Sequence, residues 1–249
     1  MRLLADAWVQ AFGGLAVLSA ALAVYPRLAG APRLHRPPKT PGQWLVDARQ
    51  ASDSDTARLG EAVEAASEGE TIFVRAGVYR ESLALSRSVK LIGLGDSPAA
   101  VVIEAAGEGP GLRFSSGHAL LQNLTVRGGA PAIEARAGAR LDLRKVSLMR
   151  AQGGLLVRKQ ALVRFESGEV IGHKGCGLEL AGGSVLLRSV SVSLNDCGVH
   201  FDGGGSLDAE DSDFGGNVNG PVLHSPGDRA RISLRGARNK PRDFDQLVR

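Results

Sequence analysis

A 22-residue self-similarity in the middle of the chain limits its fold more than any other feature. Segments 121–126, 143–148, 165–170, 187–192 and 209–214 begin 22 residues apart. Aligned, they give apolar columns: Leu121, Leu143, Phe165, Leu187, Ala209; then Leu124, Val146, Gly168, Val190, Ser212; then Val126, Leu148, Val170, Val192, Phe214. Ala119, Leu141, Val163, Val185 and Leu207 form a fourth. Residues two apart share one face of a short strand, and residues one coil apart stack at the strand spacing of ~4.8 Å. A second strand per coil starts at Ala132, Gly154, Gly177 and Gly198, near the same spacing with a slip of one residue that belongs at a turn. With 4% aromatic residues and 33 glycines, the interior has to be aliphatic and the turns tight. The leucine-rich repeat has a similar length but needs a Leu-x-x-Leu-x-Leu-x-x-Asn frame that does not recur here. The expected fold is all-β, a single-chain right-handed parallel β-helix.

A solenoid exposes its end, so a cap is expected. Residues 56–69 (TARLGEAVEAASEG) supply one, with Leu59, Ala62, Val63 and Ala66 on one helical face. With this helix, the stretch TIFVRAGVYRESLALSRSVKLIGLG at 71–95 resembles the opening of pectin-lyase-like right-handed β-helix proteins, which include pectinesterases and uncharacterised repeat proteins. The resemblance takes in roughly two thirds of the chain and implies the fold far more than a function. Enzymes of that family act on acidic or neutral polysaccharides. The pectinesterase-like Gln-Asp-Thr-Leu, Asp-Phe-Ile-Phe-Gly and Gly-Arg-Pro-Trp do not occur, nor do the polygalacturonase-like Asn-Thr-Asp, Asp-Asp and Gly-His-Gly, nor the lyase-like Arg-x-Pro-x-x-Arg. The resemblance therefore carries no catalytic residue onto this chain.

The flanks read differently. Residues 8–25 (WVQAFGGLAVLSAALAVY) hold no charge, long enough to cross a bilayer core of ~30 Å as a hydrophobic helix. Arg2 before them and Ala21-Leu22-Ala23 within them suit a cleaved signal peptide, whereas Arg27, Arg33, Arg36 and Lys39 after them suit a retained anchor facing the cytoplasm. The expected organisation is a signal peptide or membrane anchor at 1–29, a proline-rich linker at 30–55, the β-helix domain at 56–226 and a basic tail at 227–249. Of the formal charge of +4, the stretch 228–249 contributes +4, 1–55 contributes +2 and the centre −2. A body of that sign is no nucleic-acid surface, so no nucleic acid is expected as partner.

Four features in the repeats invite a chemical reading. Asp202, Asp208, Glu210, Asp211 and Asp213 are the densest acidic group, with oxygens suited to calcium or to acid and base work. Against this, Arg144, Glu166, Arg188 and Glu210 are 22 apart, which predicts an outward ladder of ion pairs that would absorb Glu210. His173 shares a corner column with Asn195 and Asn217, which predicts a turn residue bonded between coils rather than a general base. His200 should face outward without an acid partner. Cys176 and Cys197 sit 21 apart at the same turn of adjacent coils; a disulfide there suits an exported domain, and two free thiols a cytoplasmic one. No catalytic, metal or cofactor site is expected. The expected function is a membrane-associated module, extracytoplasmic in the periplasm or at the cell surface unless the anchor faces inward, presenting a rigid surface to a polysaccharide or protein partner. A polysaccharide lyase or hydrolase and an architectural envelope protein are the alternatives.

Overall fold

The computed structural model describes residues 39–227 and 229–236. Over them the chain winds into a right-handed parallel β-helix of about seven turns. The first face carries nine parallel strands, from Gln43–Val46 and Thr71–Arg75 through to Ser206–Glu210 and Arg231–Arg235. The third face carries seven, from Leu83–Leu85 to Val222–His224. Between them lies a second face whose central rungs are the carboxyl-terminal halves of the ten-residue strands His118–Arg127 and Arg140–Met149.

The repeat fixes where each coil turns. At the corner between the first two faces stand Asn123, Lys145, Ser167, Ser189 and Asp211, one from each successive coil and each left-handed, with φ of 55, 50, 53, 52 and 48°. One left-handed residue breaks the two-residue alternation. Leu121 and Leu124, three apart, therefore both face inward and are fully buried. Such a conformation costs about 1 kcal/mol or more in a residue with a Cβ, and ladder bonds across coils offset it: the Ser167 and Ser189 amides donate to the Arg188 and Glu210 carbonyls at 2.9 and 3.0 Å. The corner after the second face repeats the device at Gly128, Arg150, Gly172, Leu194 and Gly216.

The aligned columns are the core. Leu121, Leu143, Phe165, Leu187 and Ala209 are 0% exposed. Within the column of Val146 and Val190, Gly168 is explained by its neighbour: a Cβ there would come 2.2 Å from the Phe165 ring and 2.4 Å from the Val146 carbonyl oxygen. This coil holds Phe with Gly where its neighbours hold Leu with Val, so the layer keeps its volume.

Both domain boundaries differ from expectation. The capping helix is shorter, Leu59–Ala65, and its amino end is held by Glu81, whose carboxylate accepts the Leu59 and Gly60 amides at 2.8 and 2.9 Å. Within the stretch expected as linker, Gln43–Val46 is a strand paired to Thr71–Arg75, with Trp44 and Val46 buried. Alternation over so short a strand does not stand out among prolines. Within the expected basic tail, Arg231–Arg235 pairs with Ser206–Glu210 as the last strand of the first face. Residues 1–38, which hold the expected signal or anchor, and 237–249 lie outside the described residues. Among the described residues no helix is long and apolar enough to cross a membrane.

Candidate functional site

The outward side chains of the first face form three rows along the helix axis, because each strand presents alternate residues and each coil adds one rung. The first row runs His118, Arg140, Leu162, Ser184, Ser206. The second runs Leu120, Asp142, Arg164, Leu186, Asp208. Between these rows lies an open groove of about 550 Å³ extending over five coils from His118 to Asp208. The third row, Arg144, Glu166, Arg188 and Glu210, carries ion pairs at 3.8 Å for Arg144 and Glu166 and 3.3 Å for Arg188 and Glu210.

Several polar groups in the groove are held by neighbours. His118 Nε2 lies 3.0 Å from Asp142 Oδ2, the Ser206 hydroxyl donates to that of Ser184 at 2.8 Å, and Arg235 donates to Asp208 Oδ2 at 2.6 Å. Asp208 Oδ1 has no hydrogen-bond partner among the described residues. Leu162, 47% exposed, lies in the middle as an apolar rung. Arg140 and Arg164 balance Asp142 and Asp208, so the groove favours neither sign. Its two carboxylates lie in one column three coils apart, about 14 Å by strand spacing, beyond the ~5–9.5 Å at which paired carboxyl groups hydrolyse a glycosidic bond. The arrangement offers hydrogen bonds and apolar contact along a line rather than convergent chemistry at a point.

The acidic group foreseen from sequence is dispersed. Asp208 and Glu210 face outward on the first face, each bonded to an arginine. Asp211 forms the left-handed corner, Asp213 Oδ1 accepts the Gly215 amide beyond it, and Asp202 follows the third-face strand Val199–Phe201. Among the described residues no group of three or more His, Cys, Asp or Glu could hold a metal ion. His200 faces outward with Nε2 3.2 Å from the Ser225 hydroxyl. Cys176 and Cys197 are joined as a disulfide, their Cα atoms 4.4 Å apart.

His173 belongs to the corner ladder. The Asn217 side-chain oxygen accepts the Asn195 amide at 3.0 Å, and the Asn195 oxygen accepts the His173 amide at the same distance. One coil on, His173 Nδ1 accepts the Ala151 amide at 3.1 Å, and Nε2 lies 3.1 Å from the Leu148 carbonyl oxygen. Accepting through Nδ1 and donating through Nε2 requires the neutral ring. Desolvation lowers its pKa to about 4 against the opposing pull of the Leu148 and Ala151 bonds. A histidine that is 3% exposed and bonded at both nitrogens is not available as a base.

The groove itself was missed in the sequence. Its signal was there in the outward columns at the same 22-residue spacing, but row chemistry changes from coil to coil, so no single residue type repeats.

No protein-family model matches the chain, and no curated protein matches it. Solved structures do. YbhC of Escherichia coli superposes with a TM-score of 0.59 at 12% identity, over 84% of this chain and 88% of that one. A pectin methylesterase from carrot superposes with a TM-score of 0.51 at 12% identity, over 78% and 82%. At that identity the likeness shows the fold, the pectin-lyase-like parallel β-helix.

Proposed function

We propose that this pectin-lyase-like β-helix is a polysaccharide-binding module that lays an extended, hydroxyl-rich chain along the groove of its first face. The observation that carries the reading is the groove's form: a straight line of donors, acceptors and one exposed leucine over five coils. A sugar chain presents many weak polar contacts in a row, and rigid strands meet them at little entropic cost. The name of one structural neighbour, a pectin methylesterase, supports a carbohydrate as ligand. The Cys176–Cys197 disulfide supports an oxidising compartment outside the cytoplasm, to which the uncharged segment 8–25 would direct or tether the chain.

The test is affinity electrophoresis of the full-length protein in gels containing neutral and acidic polysaccharides, beside Leu162→Asp and Arg164→Ala. Retardation by at least one polysaccharide, lost in both variants while their unfolding midpoints stay unchanged, supports the reading. Retardation by none, or retardation that both variants keep, sinks it.

A further inference from the structure

Away from the groove, on the third face, three arginines from consecutive coils converge on one carboxylate. Glu134 lies directly across from Arg113 on one neighbouring strand and Leu156 on the other, with Arg136 and Arg158 each two residues further along. Arg113 Nε and Arg136 Nε donate to Glu134 Oε2 at 3.0 and 3.3 Å, and Arg158 Nε donates to Oε1 at 3.2 Å. The Glu134 side chain is 5% exposed, whereas the arginine side chains are 39, 49 and 51% exposed. Burial would raise the carboxyl's pKa, but the bonds from Arg113, Arg158 and Arg136 outweigh it and hold the group ionised.

Two consequences follow from this geometry. The cluster carries three positive charges against one negative, so about two remain unneutralised in a patch spanning two coil spacings, roughly 10 Å. Every guanidinium is also tied down through Nε alone, and among the described residues none of the three has another side-chain partner. The Nη edges are thus held at fixed positions and free to donate. A guanidinium edge pairs in bidentate fashion with a carboxylate, sulfate or phosphate. Guanidiniums fixed in advance lose little entropy when they bind.

We propose that Arg113, Arg136 and Arg158, held by Glu134, form an oxyanion-binding site on the third face, distinct from the groove and independent of what the groove binds. Glu134 acts as a positioning residue that sets the spacing of the three guanidiniums without touching the anion.

The test uses full-length protein and three probes: dextran sulfate, unsubstituted dextran and inorganic sulfate. Arg136→Gln and Arg158→Gln each leave Glu134 two arginines, and Arg136→Lys keeps the charge while removing the fork. Dextran sulfate is expected to bind, with affinity falling by about tenfold in each Gln variant, the loss of one charge-assisted pair, and by a similar factor in Arg136→Lys. Competition by millimolar inorganic sulfate, sensitive to the same variants, would assign the site to free oxyanions; binding of the polymer alone would assign it to groups carried on a chain. No binding of dextran sulfate, binding by both Gln variants equal to that of the parent, or loss only in the groove variant Arg164→Ala would overturn the proposal while leaving the groove reading untouched. Should a Gln variant fail to fold, Arg136→Lys, which retains a bond to Glu134, decides.

Discussion

The side-chain oxygen of Asn195 accepts the backbone N–H of His173, one coil earlier, at 3.0 Å, and the His173 ring performs the same service for Ala151 one coil further back. An imidazole thus occupies a rung that an asparagine amide would fill, and it does so only while neutral.

That neutrality makes stability depend on pH. His173 titrates near 4 in the folded protein against an ordinary value of 6.5. Between those values the unfolded chain binds the extra proton, so stability falls as pH drops from about 6.5 to about 4 and this contribution then levels off. The full loss is on the order of 3 kcal/mol. His173→Asn should fit the ladder and remove this part of the slope. Urea unfolding of both proteins from pH 7 to 4 checks it, and equal slopes would refute the assignment.

Asn195 bonds to coils on both sides of the ladder: its oxygen accepts the His173 amide and its Nδ2 donates to the Val170 carbonyl and to Asn217 Oδ1. At 1% exposure, water cannot replace them. Asn195→Ala should cost about 2–5 kcal/mol, since a backbone N–H and a C=O are left unsatisfied. Chemical denaturation measures this directly. A cost below about 1 kcal/mol would mean that the ladder contributes little.

Phe165 and Gly168 should be energetically coupled, because a Cβ at 168 would meet the ring 2.2 Å away. Gly168→Ala alone is expected to destabilise by roughly 2–3 kcal/mol, and Phe165→Leu alone by about 1–2 kcal/mol. The double variant, closer to the Leu143 with Val146 arrangement, should be at least ~1 kcal/mol more stable than the sum predicts. Strict additivity would show that the ring does not set the glycine.

The disulfide joins cysteines separated by 21 positions, a loop whose closure contributes about 3 kcal/mol in the chain-entropy view. Thiol labelling of denatured, unreduced protein should find no free cysteine, and two after reduction. Cys176→Ala with Cys197→Ala should lower the unfolding free energy by that amount. Two reactive thiols before reduction would remove the case for an oxidising compartment.

Fold was legible where the coils are regular. The columns from Ala119 to Leu207 could be read because their spacing is constant, and all five members of that column are buried below 5%. The ends were not. Leu207 pairs with Ile232 and Val46 with Val74, both across spacings longer than the central repeat, so period counting missed both strands although Arg-Ile-Ser-Leu-Arg alternates plainly. Left-handed corners at Arg150 and Leu194 had no residue signature either; at Arg150 the amide donates to the Ile171 carbonyl of the next coil, a bond invisible in the local sequence. Function was less legible than fold. His173, Asn195 and Asn217 share one column and one structural role, whereas the groove and the Glu134 cluster combine unlike residues from different coils, which a search for repeated identity passes over.

The coil that ends at one corner begins the next without any long excursion, and this makes a single repeat a unit of length. Duplicating a stretch such as 162–183 in frame would leave every inward column continuous and add one rung of ~4.8 Å to each face. Deleting it would remove one. The reach of the groove is therefore a copy number written into the chain, adjustable in whole steps without redesign of the core.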